Sequence, residues 1–198
     1  NVHDDSVRIF FAGENFIQKK NNDFSLSIFR YLNNKRGVNS FVMETPYSVK
    51  YMFDSWVKNK EEIFFYGKVN GLKNYNSIKY KELFKELYIE KVENNKSFNL
   101  HSIDIEYDLL QAINCIGVIM GRHPSKVEKV KEIEEKVDYA HIIDYDIKYQ
   151  ESLVVELSEL LNSDKPYFKI LFKDDYIYFK KIIEGMMRKL EFDRIMLK

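Results

Sequence analysis

Val7-Arg-Ile-Phe-Phe-Ala-Gly-Glu14 and Ser40-Phe-Val-Met-Glu44 decide how this chain is read. Each is a β-rich apolar run that stops at an acid, and one amphipathic segment lies between them. Val7 to Ala12 predicts a buried strand, with Gly13 permitting a tight turn at its end. Phe41 to Met43 predicts a second strand. Between them Asp23 can cap a helix whose Phe24, Ile28, Phe29 and Leu32 follow the helical period, and Gly37 falls where a C′ residue belongs. A short helical link between two strands implies a right-handed parallel β-α-β unit. Glu14 and Glu44 then project from one carboxyl edge of the sheet, where ligands collect in open α/β folds.

Working outward, Pro46 punctuates the chain and Tyr47 to Lys58 predicts a helix carrying Trp56. Residues 61–76, with Gly67, Gly71 and several Asn, predict an irregular loop. Ser77 to Val92 predicts a helix with Tyr80, Leu83, Phe84, Leu87 and Tyr88 on one stripe. Ser97 to Ile105 predicts a third strand, so Asp104 and Glu106 also lie near a strand end. The pattern then turns helical. Asp108 to Met120 is mostly apolar, Gly121-Arg-His-Pro124 interrupts it, and Ser125-Lys-Val-Glu128 matches a capping box. Residues 144–162 and Tyr176 onward predict further helices around a Ser-Asp-Lys-Pro break. The expected fold class is α/β: a mostly parallel sheet with flanking helices and a helix-rich C-terminal half. One domain over 1–198 is expected, with a helical insertion at about 108–165.

Composition narrows the function classes. Lys plus Arg equals Asp plus Glu at 31 each, which argues against a general nucleic-acid surface. No apolar run approaches the length of a membrane span. The single cysteine, Cys115, excludes an internal disulfide framework and a cysteine-rich zinc site. Within Ala112-Ile-Asn-Cys-Ile-Gly-Val-Ile-Met120 it reads as a buried, inert thiol. His3, His101 and His141 show no metal-site spacing, so no metal and no cofactor are expected. There is no Gly-x-Ser-x-Gly elbow, phosphate-binding glycine loop or dinucleotide fingerprint. The chain begins at Asn1 with no signal peptide, which leaves a cytoplasmic or a processed secreted protein open.

Two carboxylates brought together raise each other's proton affinity, which suits acid/base work near neutral pH. Glu14 and Glu44 are therefore the candidate catalytic acids. Taken singly, Glu14 reads as a solvated acid capping a nearby helix; the second strand-end acid, Glu44, is what favours a paired site. Arg194 would offset their charge or hold an anionic transition state; alone it is a surface helix residue. His123, in a loop between helices, can reach a cleft, or can simply face solvent. The 14 Tyr and 15 Phe are explained chiefly by core packing.

These residues resemble the erythromycin esterase-like group, within the superfamily that also holds the haem-binding ChaN proteins and the Tiki proteases. The resemblance rests on strand-Gly13-Glu14, the following helix, Phe41-Val-Met-Glu44 with its Pro-Tyr-Ser continuation, Ser102-Ile-Asp-Ile-Glu106 and Asp193-Arg194-Ile-Met196. It implies hydrolysis of an ester-type small molecule by water activated between paired glutamates, with Glu14, Glu44 and Arg194 in the active site. Phe16, Tyr47 and Asp104 are the candidate substrate contacts. The family places a histidine two or three residues after Gly-Glu, where this chain has Phe16 and Ile17, and His123 is the candidate substitute. The family's later histidine-bearing strand would fall beyond Lys198, so the chain is expected to be a fragment or a shortened relative. The alternative is a non-catalytic domain binding a ligand or partner on the same scaffold. Phe16 favours it by making the pocket mouth apolar.

Overall fold

A computed structural model of the protein describes residues 21–60, 78–140 and 146–196. The expected first strand, with Gly13, Glu14 and Phe16, and the expected loop at 61–76 lie outside those residues. Among the described residues the chain is helix-rich around a small parallel sheet of two strands, β1 (Ser40–Pro46) and β2 (Asn99–Asp104). The expected mostly parallel α/β sheet is thus met only in this reduced form.

The chain divides into two compact units, Asn1–Met43 with Trp56–His101, and Glu44–Ser55 with Ser102–Lys198. In the first unit, helix α1 (Asn21–Arg36) buries Leu26, Phe29 and Leu32. Asp23 sits inside its first turn rather than at the cap, where its charge still favours the positive end of the helix dipole. Phe24 is exposed, because the buried stripe runs through Leu26 instead. Gly37 ends the helix at φ +64°, the left-handed conformation expected of a C′ glycine. Phe29 stacks on Phe41 and meets Phe98 edge-on, at centroid distances of 4.8 and 5.0 Å. Helix α3 (Ile78–Tyr88) continues into a π-helical turn, Ile89–Glu93, and buries Leu83, Phe84 and Leu87. Arg30 of α1 forks to Glu86 and Glu90 at 2.6 and 2.7 Å, tying the two helices together. Helix α2 (Tyr47–Asn59) contributes Trp56 to this unit, stacked on Tyr88 at 4.3 Å.

The second unit is a helical assembly. Helix α4 (Leu109–Arg122) is apolar on most sides and buries Leu109, Ala112, Ile113, Cys115, Ile116, Ile119 and Met120. Such a helix belongs in a core. The expected buried thiol of Cys115 is borne out. Helix α5 (Glu128–Ala140) packs on it through Val130, Ile133 and Val137. Gly117 permits the approach, since a Cβ there would lie 3.0 Å from Val137. Helices α6 (Ile147–Ser163), α7 (Lys165–Phe172) and α8 (Tyr176–Met196) complete the unit. Asp108, Asp146 and Asp164 each cap a helix by accepting from the amide three residues on.

Two sequence expectations need correction here. Ser125 does not form the expected capping box: its hydroxyl accepts from Val127 N and pairs with Tyr167 of α7 at 2.6 Å. The hydroxyl serves a local amide and a tertiary partner at once. The segment after the Ser-Asp-Lys-Pro break is itself a helix, α7, because Asp164 and Pro166 open it as cap and first-turn proline.

Candidate functional site

The sequence put its weight on Glu44, and the strand period decides that residue's place. In β1, Val42 and Glu44 fall on the exposed face and Thr45 on the buried one. The Thr45 hydroxyl is hydrogen-bonded to Ser102 of β2 at 2.8 Å, inside the protein. Glu44 is therefore turned outward.

The buried acid is Glu106, two residues beyond β2 and 1 % exposed. Its carboxylate accepts from the Ser48 amide at 2.9 Å, from the Ser48 hydroxyl at 2.6 Å and from the Tyr47 amide. These donors are the first residues of α2, whose amides lack helical partners and carry the positive end of the helix dipole. From the other side Gly185 of α8 closes on the acid, and a Cβ there would meet Glu106 Cγ at 2.9 Å. Burial pushes the Glu106 carboxyl up to about 7, against the lowering pull of Ser48, Tyr47 and the Arg188 charge. It is a carboxyl group held near neutrality inside the unit.

A second polar cluster joins α2, the end of α4 and the start of α8. The Asp54 carboxylate accepts from Lys50 and from the Tyr178 hydroxyl. Arg122 donates to the Tyr51 hydroxyl at 2.8 Å and to Ser55 at 3.4 Å. His123 Nε2 lies 3.1 Å from Asp175, with its ring edge-on to Phe172. Burial raises the Tyr51 and Tyr178 hydroxyls above the ordinary phenol value. Arg122 opposes the rise at Tyr51, and Asp54 adds to it at Tyr178. Both phenols stay protonated over the working range of pH; the Tyr178 hydroxyl donates to Asp54, whereas the Tyr51 hydroxyl accepts from Arg122.

The remaining expected site residues are dispersed. Asp104 accepts from the Ile105 amide at 2.8 Å and from the Tyr107 hydroxyl, so it braces its own turn. Tyr47 serves Glu106 through its backbone. Arg194 is exposed in the last turns of α8. Of the expected site residues, His123 lies inside the α2–α4–α8 cluster and the Tyr47 phenol acts on its Tyr178; Glu14 and Phe16 lie outside the described residues. Sequence reading placed Glu106 near a strand end without recognising it as the buried acid. The available signal was Pro46-Tyr-Ser48, a helix start whose amides require an acceptor. Lys50 and Asp54, four residues apart on one helix, were likewise legible as a pair.

A shallow groove of about 330 Å³ lies along α6, α7 and α8, lined by Leu161, Ile183 and Met187 with Lys165, Lys180 and Arg188 among its polar residues. Among the described residues no group of three His, Cys, Asp or Glu is arranged to hold a metal ion. No described helix is long and apolar enough to cross a membrane. Compared with known proteins, the chain matches no family model, no curated protein and no solved structure.

Proposed function

We propose that this chain is a non-catalytic binding domain on its helix-rich scaffold. The observation that carries this reading is the mutual satisfaction of the α2–α4–α8 cluster. Lys50 and Tyr178 serve Asp54, Arg122 serves Tyr51 and Ser55, and His123 pairs with Asp175. A polar network whose members answer one another rigidifies a fold. Reaction chemistry needs donors and bases aimed at a substrate instead. Glu106, the acid nearest neutrality, is enclosed by α2 and α8 and presents no oxygen to solvent chemistry.

A second reading keeps the ester hydrolase implied by the resemblance, with Glu14 and Glu44 activating water and Arg194 steadying negative charge. The His123–Asp175 pair favours it, since a carboxylate holding one ring nitrogen orients a histidine as a base. Hydrolysis of a panel of simple aryl and alkyl esters separates the two. The binding reading expects no turnover above buffer by the parent, Glu44→Gln or His123→Ala. Turnover by the parent that falls roughly 100-fold or more in either variant would establish the hydrolase.

A further inference from the structure

The groove along α6, α7 and α8 has a floor and a rim of different chemistry. Leu161 and Ile183 are 4 % and 1 % exposed and form an apolar floor with Met187 beside them. Ser158 and Asn162 add neutral hydrogen-bonding groups. The charged lining is three cations, Lys165, Lys180 and Arg188, and two carboxylates, Glu184 and Glu191. Glu184 is already answered: Lys180 lies at 3.5 Å and Lys181 at 3.1 Å. Burial opposes ionisation of Glu184, yet these two lysines hold its carboxyl below the ordinary value. Lys165 and Arg188 make no ion pair among the described residues, and both are exposed. The Arg188 charge also acts on the buried Glu106 carboxyl, favouring its ionised form.

We propose that this groove binds a small amphiphilic anion, its carboxylate or phosphate head between Lys165 and Arg188 and its short apolar body on Leu161, Ile183 and Met187. The volume sits at the low end of small-ligand sites, which range upward from roughly 300 Å³. It suits a compact molecule. Charge complementarity selects the sign: the lining carries three cations, Lys165, Lys180 and Arg188, against two carboxylates, Glu184 and Glu191, and Glu184 is already answered by lysines, so an anion gains and an ammonium does not. The inference rests on the binding-domain reading and deepens it.

Calorimetric titration of the full chain with octanoate and octyl phosphate, against octanol and octylammonium, tests it. One saturable site is expected for both anions, with octanol and octylammonium bound at least tenfold more weakly. The double variant Lys165→Gln/Arg188→Gln should weaken the anions at least tenfold, with thermal melting as the check on its fold. On the unaltered chain, raising salt from 50 to 500 mM should weaken the anions and leave octanol unchanged. Equal binding of anions and octanol, no binding of either anion, or anion affinity independent of salt and of the double variant would overturn the site. Retention on phosphatidylglycerol vesicles without binding of the free anions would overturn it as well. Ester turnover, by contrast, would remove the binding-domain reading while leaving this titration to stand or fall on its own.

Discussion

Glu44 and Glu106 are both glutamates near the carboxyl ends of paired strands, one two residues inside β1 and the other two residues past β2, and they have opposite fates. Glu44 shares the exposed face of β1 with Val42, whereas Glu106 lies past β2 and is folded beneath the start of α2. The local patterns that place them are nearly alike. What differs is the neighbour: Glu106 meets three donors and a glycine that lets α8 close over it. An acid at a strand end becomes chemically unusual only when a second element removes its water and supplies its hydrogen bonds.

The largest test of this contrast is pH. Because the folded-state value of Glu106 is raised from 4.5 to about 7, the folded chain binds its proton more readily than the unfolded chain does. The stabilisation is fully present below pH 4.5 and is lost as pH climbs through 7, on the order of 3 kcal/mol for this group. Glu106→Gln keeps an oxygen for the Ser48 amide and offers its NH2 group to the Ser48 hydroxyl, without a charge to bury. Urea melts from pH 4.5 to 8 should show the variant gaining on the parent as pH rises. A constant gap between them would mean that Glu106 titrates alike in the folded and unfolded chains, with its value not raised by burial.

Gly185→Ala should have a smaller effect. Alanine favours a helix interior by about 1 kcal/mol over glycine. Its Cβ would, however, meet Glu106 Cγ at 2.9 Å in an enclosed site, and overpacking costs about 1–3 kcal/mol. The net expectation is a loss of about 1 kcal/mol in thermal or urea unfolding, and an unchanged or stabilised protein would show that the contact yields. Smallest is Glu44→Gln, which should change stability by no more than about 0.5 kcal/mol, as exposed substitutions do. A larger loss in the same melts would erase the distinction between the two acids.

Much of the helical framework was legible because its signals are local. Leu153, Val154, Leu157, Leu160 and Leu161 recur at helical spacing and are buried, and Gly37 closes α1 in the left-handed conformation. The failures were tertiary. Ser125 reads as a capping-box residue, yet its hydroxyl accepts from Val127 and also meets the distant Tyr167, and Phe24 reads as core although Leu26 takes that side.

By itself the sequence determined where most of the described helices and both described strands form, and that Cys115 is buried, because periodicity and capping act between residues a few positions apart. Only the tertiary structure decided which acid loses its water, which polar groups pair across α2, α4 and α8, and where three helices leave a groove with cations beside an apolar floor. Those outcomes depend on desolvation and on partners distant in sequence, such as Ser48 for Glu106 and Asp175 for His123. No local pattern encodes such meetings.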